Sequence, residues 1–276
     1  MKDELGDMFK AFEQAAESVL VPGLPVFLRL DGNSFSKFTK QNMVKPFDER
    51  FETAMNAAAT AVLDYCSGAC FAYVQSDEIT IILRNDQREE TTPFLANRTQ
   101  KLTSLTAAKA SVAFNRSLRE QGMDVPDQVF DCRAFTVTPD LTNATVAWRQ
   151  EDCFRNAISG TLYWKLREDT GRKTATNWMH GKGVDDYLAK LSELEITTAD
   201  IGEHRLWGRV IQREVYEAFK RDVMPPEAFQ KLVEKGHIKD ENETVTRGRW
   251  TILERTPRFQ TEPEFVAEHM GNGSGE

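Results

Sequence analysis

The stretch VQSDEITIIL, Val74–Leu83, sets two adjacent carboxylates, Asp77 and Glu78, between two β-rich apolar runs. A third acid, Asp31, closes another such run in PVFLRLDG, Pro25–Gly32. Carboxylates held within a few ångströms repel one another unless a cation meets them, and all-oxygen donors suit Mg²⁺ better than Zn²⁺. A pair of such ions about 4 Å apart is the usual clamp for in-line nucleotidyl transfer. Gly32, directly after Asp31, lets backbone groups approach a metal or a phosphate closely. Asn33–Phe35 then offers consecutive backbone N–H groups of the kind that cradle phosphates, and Lys45 follows as a cation for a triphosphate. Taken singly, an Asp-Gly pair is ordinarily a turn and an SDE at a hairpin is ordinarily solvated surface. Only their conjunction points to a metal-dependent nucleotidyl-transfer site rather than a plain α+β domain.

That conjunction needs a sheet to build it. Helical spacing over Leu5–Leu20 ends at VPGLP, and Pro25–Gly32 then reads as a strand with Val26, Leu28 and Leu30 on one face and Phe27, Arg29 and Asp31 on the other. Asp48 is placed to cap a helix through ERFETAMNAAATAVLDYC, which Gly68 interrupts. FAYVQ and EITIIL, separated by Ser76–Asp77, predict a tight hairpin. A polar linker, RNDQREETTP, precedes a helix over roughly Phe94–Arg119, and RAFTVT, Arg133–Thr138, supplies a last strand before Pro139. The order is ferredoxin-like, βαββαβ, an α+β palm with helices on one face of the sheet. In that order the first strand neighbours the hairpin, so Asp31 approaches Asp77 and the three acids are expected to converge.

Past Pro139, TVAWRQEDCFRNAISGTLYWKLRED has the spacing of a long helix with Trp148, Asp152, Arg155 and Ser159 on one stripe. Gly-containing turns such as HGKG and helices such as VDDYLAKLSEL follow. Residues 1–139 are expected to form the palm-like core, residues 140–276 an extension packed on it for tRNA binding and oligomerisation, with one continuous domain as the alternative, and the tail HMGNGSGE a frayed end.

Composition narrows the class. The 276 residues hold enough apolar content for a sizeable core, no window approaches 18 consecutive apolar residues, and the N-terminus is charged, so a cytoplasmic protein with no membrane partner is expected. Cys66, Cys70, Cys132 and Cys153 have no C-x-x-C spacing and there are only four histidines, which argues for reduced thiols and against structural zinc. The formal net charge of −8 argues against indiscriminate polyanion binding, so a nucleic-acid partner needs a confined basic patch.

RLDGNSF, KPFDER, YVQSDE, VFDCR and WRQEDC, in this order, resemble the tRNA-His guanylyltransferase family and its relatives, the 3′-to-5′ RNA polymerases, over roughly Phe27–Gly171. The resemblance implies a polymerase-like palm that adds nucleotides to the 5′ end of a tRNA. The 5′ end is activated with ATP or enters as a triphosphate, and the 3′-hydroxyl of an incoming nucleotide attacks it with two Mg²⁺ ions assisting. It further implies Asp31, Asp77 and the Gly32 carbonyl as metal ligands, with Glu78 a required acid beside them. Asn33, Ser34, Phe35 and Ser36 would hold a triphosphate, with Lys45, Asp48 and Ser76 contacting that nucleotide. Arg98, Lys101 and Arg133 align with cations for a second triphosphate. GTP and ATP are the implied substrates and tRNA the partner, with a homotetramer built as a dimer of dimers.

One departure stands out: where tRNA-His enzymes of eukaryotes read His-Ile-Asn-Asn-Leu-Tyr-Asn, this chain reads FRNAISG, Phe154–Gly160. That favours the guanylyltransferase-like branch, which repairs truncated tRNA 5′ ends, over addition of a single guanosine to tRNA-His. A catalytically idle nucleotide- or RNA-binding palm and a nucleotide cyclase are the readings of other classes. Arg149, Arg155, Lys165, Arg167, Arg172 and Lys173 are candidates for the tRNA surface, whereas Lys109, Arg116 and Arg119 read as ordinary surface.

Overall fold

β-branched and aromatic runs bounded by Gly, Pro and Asp become strands here, and the Ala-, Leu- and Met-rich stretches become helices. The computed structural model describes residues 4–85, 92–240 and 242–271. It runs α1 (Glu4–Ala15), β1 (Val26–Gly32), α2 (Phe35–Asn42), α3 (Glu49–Tyr65), β2 (Ala69–Gln75), β3 (Glu78–Leu83), α4 (Thr99–Glu120) and β4 (Phe130–Thr136). Next come α5 (Pro139–Thr170), α6 (Arg172–Met179), α7 (Val184–Glu193), the single turns α8 (Thr198–Ile201) and α9 (Glu203–Leu206), and β5 (Arg209–Phe219). The βαββαβ order is therefore present, as β1, α3, β2, β3, α4 and β4, with α2 as an additional helix.

The strands lie in the order β4-β1-β3-β2, with β1 antiparallel to both β3 and β4. Facing residues in such pairs emerge on the same face. The register thus sets three rows on one face: Asp131, Asp31 and Glu78; then Arg133, Arg29 and Thr80; then Phe135, Phe27 and Ile82. The opposite face, with Leu28, Leu30, Ile79 and Ile81 fully buried, lies under α3 and α4.

Helices were expected on one face only, and here the structure differs. Phe27 is fully buried in a second core with Phe71, Tyr73, Val146 of α5 and Phe259, because its row is apolar and needs a cover of its own. Pro139 sits in the first turn of α5, whose Val146 joins that core. The main compact unit takes in residues up to Ile211 and from Leu253 onward.

Three expected boundaries also shift. β4 begins at Phe130 rather than Arg133, since the Phe130 N–H bonds to Ser111 Oγ and its ring joins Phe35 and Phe114. α4 begins at Thr99 rather than Phe94, because Leu95, Ala96 and Asn97 take left-handed backbone conformations. Part of the linker, residues 86–91, lies outside the described residues.

The second unit, Gln212–Ile252, holds the remainder of β5, α10 (Lys220–Val223), α11 (Pro226–Glu234) and β6 (Thr244–Ile252). Cross-strand Arg249–Glu214 and Thr246–Glu217 bonds join its two strands. Back in the main unit, α12 (Glu264–Gly271) takes in His269–Gly271 of the tail expected to fray, with His269 packed on Phe265 and Phe71. The rest of that tail, residues 272–276, lies outside the described residues.

Candidate active site

The end of β1 and the tip of the β2–β3 hairpin are locked together. The Gly32 N–H donates to the Asp77 carbonyl oxygen at 3.0 Å, and Ser76 turns the chain with φ 45°. Gly32 is dictated by packing, since a Cβ there would lie 2.3 Å from the fully buried Phe35 ring. This arrangement brings Asp31 and Asp77 into one electrostatic neighbourhood. Burial, then Asp77, Glu78 and Asp131, pushes the Asp31 carboxyl above its ordinary value, and Arg133 opposes the rise. Burial chiefly raises Asp77 too, against hydrogen bonds from its own backbone and the Ser76 hydroxyl and the nearby Lys45 charge. Two hard-oxygen acids held at raised pKa beside a close-packed glycine suit a divalent cation.

Glu78 faces Asp31 across the ladder but does not join that pair. Its Oε1 and Oε2 accept from Arg149 Nε at 2.7 Å and Nη2 at 2.9 Å, and Arg149 also donates to Asp152 Oδ2 at 2.8 Å. Arg29 stands 4.0 Å away, and the Trp148 ring lies 4.5 Å from the Arg149 guanidinium carbon. The three acids thus share one electrostatic neighbourhood, but the Glu78 oxygens are taken up by Arg149. Among the described residues no group of three His, Cys, Asp or Glu side chains could hold a metal. The ladder puts Glu78 on the face that α5 covers, where Arg149 takes both oxygens. Beside it, Gln75 Oε1 and Thr80 Oγ1 are buried without a partner.

Of the backbone N–H groups expected to cradle a phosphate, one is already committed. The Asn33 N–H is already bonded to the Val129 carbonyl at 2.9 Å, so it is not available. Ser34 caps α2 in the left-handed region at φ 61° and makes no side-chain cap bond, leaving the amides of Ser34, Phe35 and Ser36 without partners among the described residues. Free first-turn amides are an anion site in the making.

A cleft of about 360 Å³ opens here and gathers Ser36, Lys45, Asp48, Ser76 and Asp77. Burial pulls the Lys45 ammonium below its usual pKa, countered by Asp77 and Asp48, and it lies 5.6 Å from the Trp164 ring centroid. Asp48 is fully engaged. It caps α3 and accepts from Val44 N, Arg50 N, Arg50 Nε and Arg50 Nη2 at 2.6–3.0 Å, and the Arg50 bonds bring its pKa down to about 2. Its carboxylate shapes the Lys45 loop.

Of the three cations expected to hold a second triphosphate, Arg133 joins the row behind Asp31. Arg98 and Lys101 are not brought to the cleft. Arg98 is ion-paired to Glu17 at the start of α4. It lies about 20 Å along that helix from Ser111, which marks the level of Gly32. Arg149 is also withdrawn from the expected tRNA surface, being 11 % exposed and bound on two sides. Arg155 and Lys165 pair with Asp152 and Asp169, while Arg172 and Lys173 are exposed.

Sequence reasoning missed the far wall of the cleft, where His204, Arg205 and Arg209 face Asn156 and Trp164 of α5. No motif or spacing near residue 204 marks these cations, since only the fold carries them back to α3.

Residues 6–138 match the family model described as Thg1: tRNAHis guanylyltransferase. The chain is 31 % identical to the tRNA(His) guanylyltransferase of Neurospora crassa over 95 % of this chain and 88 % of that one. It is 32 % identical to a probable tRNA(His) guanylyltransferase of Drosophila melanogaster over 59 % of this chain and 56 % of that one. The chain spans about half the length of several such relatives. A solved bacterial tRNA(His) guanylyltransferase (Thg1)-like protein in complex with ATP superposes with a TM-score of 0.77 at 27 % identity, covering 98 % of this chain and all of the other. For a GTP complex of that description the TM-score is 0.72 at 26 % identity.

Proposed function

The chain belongs to the tRNA(His) guanylyltransferase family, and on that premise we propose that it is a metal-dependent 3′-to-5′ nucleotidyltransferase that adds nucleotides to the 5′ end of tRNA. The observation that carries this is the pair Asp31 and Asp77, both held at raised pKa, with Asp77 lining a cleft that also gathers Lys45 and Ser36 of α2. Asp31, Asp77 and the Gly32 carbonyl would hold Mg²⁺, which when bound would neutralise phosphate charge and favour ionisation of the attacking hydroxyl. The Ser34–Ser36 amides and Lys45 orient the triphosphate of GTP or ATP, with Ser76 at the hairpin tip beside it. Asp48 holds the Lys45 loop, and Glu78 holds Arg149 and through it α5. The hydrophobic wall of Met43, Phe47 and Phe51 excludes water from this end of the cleft.

Phe154 supports the repair reading over addition of one guanosine to tRNA-His. Its ring stacks on Trp207 with centroids 4.8 Å apart, a packing role with no proton to transfer. A second triphosphate on Arg98 and Lys101 would be a separate molecule from the one in the cleft. The C-terminal half is assigned to tRNA binding and assembly, as a homotetramer in the cytoplasm. No described helix is long and apolar enough to cross a membrane.

The test is incubation with Mg²⁺, labelled nucleotides and a panel of tRNAs, including a 5′-truncated, triphosphorylated one. The expected product is that tRNA extended by the templated nucleotide, with Asp77→Ala inactive. Extension of intact tRNA-His alone would select guanosine addition, and no extension of any tRNA would overturn the reading.

A further inference from the structure

Arg209 is 7 % exposed and lines the cleft. Its Nε donates to Asn56 Oδ1 at 2.7 Å, a neutral acceptor. Its two terminal guanidinium nitrogens make no hydrogen bond among the described residues. The nearest acid, Glu52, is already shared between Arg205 Nε at 2.7 Å and His204 Nε2 at 3.3 Å. This wall therefore sets one carboxylate against two guanidiniums and an imidazole. A guanidinium withdrawn from water beside an acid already bonded elsewhere is costly: burial draws its pKa down, and the Glu52 charge offsets that only in part. Nor is the side chain needed to hold its own strand. Tyr73 already pins that turn, through a 2.9 Å bond from its hydroxyl to the Trp207 carbonyl and a contact so close that a Cβ at Gly208 would lie 2.6 Å from it.

We infer that Arg209, with Arg205 beside it, is a phosphate subsite in the cleft that also holds Ser36 and Lys45. The planar fork of an arginine matches phosphate oxygens two at a time. The phosphate comes either from the nucleoside triphosphate or from the 5′ end of the RNA, and choosing between them rests on the proposed function above. Two anionic ends meeting in one cleft is what transfer between a triphosphate and a phosphorylated acceptor requires.

Binding without turnover tests this. Wild type, Arg209→Gln and Arg209→Lys are titrated with inorganic tripolyphosphate, GTP, and one tRNA acceptor hairpin carrying either a 5′-monophosphate or a 5′-hydroxyl. Arg209→Gln should melt no lower than wild type without ligand, because it removes an unpaired buried cation. It should bind GTP and tripolyphosphate, or else the 5′-phosphorylated hairpin, roughly ten- to a hundredfold more weakly. The ligand that weakens identifies the source, and Arg209→Lys should recover part of the loss. Binding within twofold of wild type for every ligand overturns the inference. So does an equal loss for the phosphorylated and hydroxyl hairpins, or a lowered melting temperature in both variants. Absence of any nucleotide addition by wild type would sink the proposed function and leave these binding results standing.

Discussion

Asp77 and Glu78 are neighbours in sequence and live in opposite electrostatic worlds. Asp77, with Asp31, is held at raised pKa with only the partial help of Lys45 and Arg133. Glu78, one residue on, has both oxygens on Arg149 and is 12 % exposed. The difference teaches where this fold keeps charge for a ligand and where it keeps charge for itself. The compensated acid ties α5 to the sheet, and the other two stay at raised pKa where a cation would relieve them.

The largest effect should come from the uncompensated side. Asp77→Asn, and likewise Asp31→Asn, should cut nucleotide addition by about 10³-fold, the several kcal/mol that charge stabilisation by a metal supplies. Without divalent metal the same variants should melt higher than wild type, since the mutual repulsion is gone. Addition rates with and without Mg²⁺, read beside thermal melts, check both. A variant that loses activity and also melts lower would place Asp77 with Glu78 in the framework.

Breaking the compensated side should act on stability first. Glu78→Gln leaves Arg149 and Arg29 facing a neutral amide under α5, at a cost of about 3–5 kcal/mol. Paired with Arg149→Met, much of that should return. Denaturant titration of the single and double variants gives the coupling directly. If Glu78→Gln instead abolished addition while leaving stability untouched, the comparison would collapse into one three-acid site.

pH separates the acids by sign. Asp31 and Asp77 have folded pKa values above their ordinary ones, so their contribution to stability is present at low pH and lost as pH rises through those folded values. Asp48 is the reverse. Its folded pKa is about 2, so its contribution is present above the ordinary 3.8 and lost as pH falls toward 2. Metal-free stability should therefore decline as pH rises above the ordinary carboxylate value of 3.8 and through the raised folded ones, a decline that Asp77→Asn flattens and Mg²⁺ offsets. Asp48→Ala should instead flatten the acid limb and cost about 1–2 kcal/mol as a lost cap.

How much of this was legible follows the same division. β1, the hairpin and the Asp48 cap were readable because each is a local pattern: alternation, a two-residue turn, a capping side chain before an Ala-rich run. So were Asp31, Gly32 and Asp77, since the strand order alone makes them neighbours. What local pattern does not carry is compensation. Nothing around WRQEDC says that Arg149 will close on Glu78 and leave the solvent, or that Arg209 will be buried beside Asn56. The second helix-covered face was hidden likewise, because alternation at Phe27 reads as an outer position until α5 covers it.

The smallest effect tests the far end of the sheet. Lys101 is exposed and stands about 15 Å along α4 from the level of Gly32, well beyond the Debye length of about 8 Å at physiological salt. Arg98 spends its guanidinium on Glu17. Lys101→Ala should thus change GTP affinity in the cleft by less than twofold, against a tenfold or larger loss for Lys45→Ala, whose ammonium is half-buried there. Calorimetric titration of the two variants decides it. A large loss at Lys101 would mean that an exposed cation outside the cleft reaches the nucleotide, which this fold permits only if a second molecule lies between them.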